Sequence, residues 1–348
     1  MPFSAQNRKG TMNGVIFVAI FAAAATMIGD IPAIKALGIS PLVIGIVLGI
    51  FYANTLHHKT PKEWSTGITF SGKKILRFAI VFYGFRITFQ QIAEVGIDGF
   101  LVSLIMLAST FVLGTWVGQR FFKMDRDTSM LMASGASVCG AAAVLATEPV
   151  LKAEEYKAAI AVSMVVLFGT IAMFLYPALY NMGFFDMNAK EFGIYVGGTI
   201  HEVAQVVAVP ASIPGSSPEM ANSAVIVKMT RVIMIAPMLI ILGIYLSFSA
   251  KKSGGEASGV KLVIPWFAVY FIGMAGFNSL GLVPMNIVGI INEIDTFLLT
   301  MAMTALGMGT IFAKFKGLGL TPIYTAGTMF IWLMVGGYFI TKWVVATF

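Results

Sequence analysis

Charge is scarce in this chain. Asp, Glu, Lys and Arg make up 11% of its 348 residues, against about 25% in an ordinary soluble domain. That excludes a water-soluble globule of usual composition. Cysteine is rarer still: the one thiol, Cys139, rules out an internal disulfide and lies in an apolar run, so nothing marks an oxidising extracellular framework. The phosphate cradle Gly-x-x-x-x-Gly-Lys-Ser/Thr is missing, which argues against ATP-driven pumping by this chain. A cleavage pattern is also missing. Arg8 and Lys9 ahead of Val15 to Met27 mimic a signal peptide, but Asp30 and Pro32 close that run without small-residue processing signals, so an uncleaved first span is expected.

What is present is apolar surface. Hydrophobic residues are 58% of the chain, and a spanning helix needs about 20 of them in a row. Eleven runs qualify, at approximately 13–29, 38–54, 72–93, 98–119, 128–147, 156–181, 191–213, 222–248, 262–282, 294–313 and 322–346. The expected fold class is an all-α polytopic membrane protein of about eleven transmembrane helices. The net charge of +7 then belongs to basic loops at a membrane surface, and no nucleic-acid partner is expected.

Basic residues are retained on the cytoplasmic side of a membrane. With these spans, fifteen Lys and Arg fall on the N-terminal side and four on the other. The N-terminus is therefore expected in the cytoplasm and the C-terminus outside. Beyond an extra span at 1–37, residues 38–182 and 190–348 align as two groups of five. An odd number of spans inverts the second copy, the arrangement of inverted-repeat transporters. The second span of each group carries intramembrane cations, Arg77 and Arg86 or Lys228 and Arg231. The fourth is rich in small residues, around Ser137, Cys139 and Gly140 or Thr304 and Gly307. Such stretches serve close helix packing or a broken helix whose backbone faces a solute.

Lys228 and Arg231 share a helix face near mid-membrane and need a partner or a wet cavity; an anionic solute and Glu202 are the two candidates. Arg77 and Arg86 point to opposite faces, with Arg77 near enough to the surface to snorkel. His201, Glu202 and Gln205 follow Gly197-Gly198. They resemble the zinc-protease signature His-Glu-x-x-His but lack its second histidine. With His57 and His58 in a loop there is no third ligand, so no metal site is expected. His201 or Glu202 could instead carry a coupling proton. Glu148, abutting the small-residue segment, is a further ion-coupling candidate, and Asn278 and Asp295 are weaker ones.

The run from Ser137 to Leu151 (SVCGAAAVLATEPVL), with Thr199 to Val206 (TIHEVAQV) and Val227 to Val232 (VKMTRV), resembles the bacterial YeiH family, also named for sulfate export. Matches at Pro265 to Phe267, Phe277 to Ser279 and Met301 to Gly307 extend the likeness over nearly the whole chain, with Ala142 departing from an expected Ser. The resemblance implies a bacterial inner-membrane protein related to cation/proton antiporters and bile-acid/sodium symporters. It implies an inverted five-plus-five repeat in which discontinuous fifth and tenth spans cross, breaking at Ser137 to Gly140 and Thr304 to Gly307.

The expected function is secondary transport of a small anion, sulfate, a sulfonate or a related organic acid, by alternating access. Ser137, Cys139, Gly140, His201, Gln205, Lys228, Arg231, Thr304 and Gly307 would hold the solute, and Glu148, Glu202 and Asn278 would handle a coupling H+ or Na+. No cofactor and no catalytic residue are expected. The alternatives are a membrane-embedded enzyme or sensor built on His201, Glu202 and Gln205, or an anion channel. Lipid is the surrounding partner, and pairing as a homodimer is left open.

Overall fold

The computed structural model describes residues 7–32, 34, 40–56, 60–252, 265–315 and 319–348. His57 and His58, placed in a loop above, and Lys35, Lys59, Lys261 and Lys316, four of the basic residues counted on the two sides, lie outside the described residues. Among the described residues the regular structure is helical. In chain order it comprises α1 (Arg8–Gly29), α2 (Pro41–Thr55), α3 (Ser65–Phe70), α4 (Leu76–Tyr83), α5 (Phe89–Arg120), α6 (Arg126–Ser137), α7 (Ala141–Leu151) and α8 (Glu155–Asn181). Then follow α9 (Ala189–Thr199), α10 (Val203–Ala211), α11 (Pro218–Ile233), α12 (Ile235–Lys252), α13 (Trp266–Ser279), α14 (Met285–Gly309), α15 (Leu320–Ile331) and α16 (Gly337–Thr347).

Local signals set several starts. Pro41 opens α2, where its missing N–H costs nothing. Asp125 caps α6 by accepting from the Thr128 N–H at 3.1 Å. Asn188 and Glu191 form a reciprocal capping box on α9.

Six helical stretches are long and apolar enough to cross a bilayer: Arg8–Gly29, Phe89–Arg120, Tyr156–Asn181, Pro218–Phe248, Met285–Gly309 and Leu320–Thr347. Pro41–Thr55 and Ala141–Leu151 are apolar but shorter. Of the remaining expected spans, the ninth is the single 14-residue helix α13, Trp266–Ser279, and the others are subdivided. The third, expected over 72–93, takes in the π-helical turn Ser71–Ile75, α4, a tight helical turn at Gly84–Arg86 and the start of α5. The fifth breaks between α6 and α7, and the seventh between α9 and α10.

The tenth span corrects the sequence expectation. α14 continues unbroken through Thr304 and Gly307 to Gly309. Its small residues are used for packing: a Cβ on Gly49 of α2 would run into the Thr304 carbonyl, and one on Gly307 into the Ile46 carbonyl. Gly45 and Gly49, four apart on α2, allow that contact. The Thr300 and Thr304 hydroxyls donate back along α14 to the carbonyls of Thr296 and Thr300, both at 2.8 Å.

The helices gather into two compact units, each assembled from separated segments. The first takes in Met1–Ala93, Val207–Ser217 and Phe267–Phe315; the second takes in Glu94–Val206, Pro218–Trp266 and Lys316–Phe348. In the first unit α1, α2 and α14 close on Val18, Ala22, Tyr52, Met301, Ala305 and Met308. In the second, α9 packs closely on α11, α6 on α8, and α9 on α16. Large apolar side chains such as Ile20, Val112, Ile241 and Phe339 stay exposed, as expected where the surrounding solvent is hydrocarbon.

Candidate functional site

Two helices of the second unit break in mid-course, and the breaks adjoin. α6 ends at Ser137 and α7 starts at Ala141; α9 ends at Thr199 and α10 starts at Val203. Each break leaves the last carbonyls of one half-helix and the first N–H groups of the next without their usual intrahelical partners. Gly140 makes the first break possible, with φ at +78° and ψ at −136°, a region essentially reserved for glycine. A Cβ there would also meet the Glu202 side chain.

Gly193 and Gly197 bring the third element to the site. A Cβ on either would run into the Met220 or Ala224 carbonyl of α11, so α9 and α11 approach backbone to backbone. That approach delivers Lys228 and Arg231 to the broken ends.

Both cations are fully buried. The Lys228 ammonium donates to the carbonyls of Val138 at 2.8 Å, Ile200 at 2.7 Å and His201 at 2.7 Å, which commits all three of its N–H groups. Arg231 donates from Nε to Ser137 at 2.6 Å, from Nη1 to Gly198 at 2.8 Å and Ile200 at 3.4 Å, and from Nη2 to Ala136 at 2.7 Å. Every acceptor is a backbone carbonyl at or just beyond the C-terminal end of α6 or α9. The helix dipole leaves partial negative charge at such ends, and the two cations offset it. Two full charges are thereby stabilised inside an apolar unit. Sequence reasoning found these cations but assigned them a solute or Glu202, because a backbone carbonyl has no letter of its own. The signal that pointed nearest was glycine, at 140 and 193 to 198.

The N-terminal ends present the opposite polarity. Glu202 precedes α10 and its side chain lies against Gly140, at the start of α7. Its N–H donates to Gln205 Oε1 at 3.1 Å, half of a capping box. A carboxylate is favoured beside two positive helix ends. His201 is 3% exposed and Gln205 0%, and His201 Nδ1 and Gln205 Nε2 have no hydrogen-bond partner. His201 also lines a cavity of about 10 Å³ with Met132, Met164 and Met329, space for roughly one water. Cys139 is a buried free thiol, and the Ser137 hydroxyl turns back to the Ser134 carbonyl at 3.3 Å.

Ser137, Cys139, Gly140, His201, Glu202, Gln205, Lys228 and Arg231 thus converge. Glu148 is half-buried and lies along α7, about 10 Å from its start by helical rise. The other candidates belong to the first unit. Arg86 pairs with buried Asp295 at 3.4 Å and donates to Thr296 Oγ1 at 2.7 Å and the Asn292 carbonyl at 2.6 Å. Asn278 Nδ2 donates to the Ile87 carbonyl at 3.1 Å. Arg77 is exposed, its guanidinium 5.8 Å from the Phe267 ring centre. Among the described residues no three His, Cys, Asp or Glu side chains cluster to hold a metal ion.

A family model described as "Conserved hypothetical protein 698" matches residues 13–326. A UPF0324 membrane protein of Bordetella pertussis is 47% identical over 334 residues, 96% of this chain and 95% of the relative. The UPF0324 inner membrane protein YeiH of Escherichia coli K12 is 46% identical over 324 residues, 93% and 91% of the two chains. A UPF0324 membrane protein of Bacteroides thetaiotaomicron is 44% identical over 337 residues, 95% and 98% of the two chains. The resemblance read from Ser137 to Leu151 and its companion motifs is borne out.

Proposed function

Because the chain belongs to the family described as conserved hypothetical protein 698, with the UPF0324 inner membrane protein YeiH among its relatives, we propose that it is a secondary transporter of a small anion. The observation that carries this reading is the pair of adjoining breaks in α6/α7 and α9/α10. Discontinuous helices with opposed ends are how transporters build a solute site in hydrocarbon. On this reading the chain performs no covalent chemistry.

The N–H groups at the starts of α7 and α10 hold the anion, with His201 and Gln205 as polar ligands. Lys228 and Arg231 hold the broken ends together and supply positive field, without donating to the solute. Glu202 is the resident carboxylate at the same positive ends. Protonating it vacates the charge that the solute replaces, which couples anion movement to H+. Sulfate and sulfonates are the solutes to test first.

The reading keeps eleven crossings, the N-terminus in the cytoplasm and the C-terminus outside. An inverted repeat over 38–182 and 190–348 accounts for the two groups of five spans. The adjoining breaks, however, fall in the fourth span of one group and the first of the other, so the site is not made of equivalent repeat positions.

A ligand that binds only the folded state raises the melting temperature. Purified protein screened against sulfate, thiosulfate, sulfite, sulfonates and small carboxylates is expected to show a selective shift that His201→Ala and Gln205→Ala abolish. Flux of the selected anion in proteoliposomes then follows. Absence of any selective shift overturns the anion reading. A shift kept by both variants overturns the placement of the site.

A further inference from the structure

Between α5 and α12 the second unit carries a groove of about 720 Å³, within the roughly 300–1,000 Å³ of small-molecule sites. Leu107, Phe111, Met238 and Leu242 line it, and its lips Val112 and Ile241 are 66% and 68% exposed. These apolar lips face hydrocarbon in a membrane protein, so the groove opens to lipid.

One end of the groove differs from the rest. Arg120, Gln119, Trp116 and Tyr245 line it, the Arg126 guanidinium sits 5.9 Å from the Tyr245 ring centre, and exposed Lys123 follows on the next turn. Aromatic and basic side chains together mark the headgroup level of a bilayer. The acidic neighbours Asp125 and Asp127 are already met by Lys157, at 3.0 and 3.4 Å. The Thr115 hydroxyl oxygen in the groove wall is buried and has no hydrogen-bond partner.

Along α5 the lining runs from Leu104 to Arg120, about 24 Å of helix, so an acyl chain has room below the basic end. A seam between protein copies has no reason to collect cations at one end.

We propose that this groove binds one phospholipid with an anionic headgroup. Arg120 and Arg126 meet the phosphate, and an acyl chain lies between α5 and α12. The occupant is held by charge at one end and by apolar area below it. The inference is independent of the solute site, since none of its residues is shared with the breaks.

The test is native mass spectrometry of the full chain in detergent, with dioleoyl-phosphatidylglycerol and dioleoyl-phosphatidylcholine offered at equal concentration. One phosphatidylglycerol retained about thirtyfold over phosphatidylcholine is expected, from about 1 kcal/mol for each of two surface cations at about 1.4 kcal/mol per tenfold. Arg120→Gln with Arg126→Gln reduces retention to the phosphatidylcholine level, and Ala108→Trp, which fills the exposed groove, removes the retained lipid. Dihexanoyl-phosphatidylglycerol, tested on the parent protein, loses retention because its chains cannot fill the groove. Equal retention of the two dioleoyl lipids overturns the proposal. So does full retention of the short-chain lipid, or an adduct unchanged in the variants.

Discussion

Replacing Lys228 by Met keeps an unbranched side chain and removes the ammonium, which separates two roles for this cation. Three carbonyls lose a donor. Ile200 keeps a long bond from Arg231 at 3.4 Å, so the loss falls on Val138 and His201. Each buried acceptor left unmet costs about 1–3 kcal/mol, or about 2–6 kcal/mol for the two. At about 2.1 cal/mol/K of unfolding entropy per residue, a kcal/mol moves the melting temperature of a 348-residue chain by about 1.4 °C, so even the low end gives a drop of about 3 °C. The assay is thermal unfolding of purified protein in detergent with no solute added. The opposite sign is the informative refutation. If Lys228 were held in reserve for a solute, deleting it beside Arg231 would relieve like-charge repulsion and raise the melting temperature of the solute-free protein. A variant that melts within about 1 °C of the parent, or above it, refutes the view that this ammonium closes the broken helix ends.

Gly140→Ala forces a side chain onto φ +78° and against Glu202; strain of about 1–3 kcal/mol should lower the melting temperature and suppress any anion-induced shift, and a parent-like response would contradict the break geometry. Gly49→Ala and Gly307→Ala overpack the α2–α14 contact, at about 1–3 kcal/mol each. Gly273→Ala, where a Cβ meets nothing within 4 Å, is the matched control and should be neutral or slightly stabilising in the same melts. Burial pushes the Asp125 carboxyl up, but hydrogen bonds from Thr128 and the nearby Lys157 hold it below its ordinary value overall. Its contribution is therefore present above the ordinary pKa of about 4 and is lost as the pH falls through the folded value. Asp125→Asn, which keeps the cap oxygen, should flatten that part of the acid melting profile.

Much of the architecture was legible because its letters are coarse. Apolar runs of bilayer length need no partner to be recognised, and the six long spans overlap those runs, though Phe89–Arg120 and Met285–Gly309 each begin nine residues before the expected start. The site was legible only in part. Ser137 to Gly140 and Thr304 to Gly307 look alike as strings of small residues, yet one lies at a break and the other packs on Gly45 and Gly49. What separates them is distant in sequence. A helix interrupted in hydrocarbon exposes carbonyls that must be paid for by donors from another span, and only the first segment has such donors, Lys228 and Arg231. In the other unit the intramembrane cation Arg86 is engaged by Asp295, Thr296 and the Asn292 carbonyl, which leaves α14 no matching reason to break. A pair of buried cations on one span is thus itself a sign of broken helix ends on its neighbours, and the Gly197-Gly198 step at the end of α9 marks where the second of them lies.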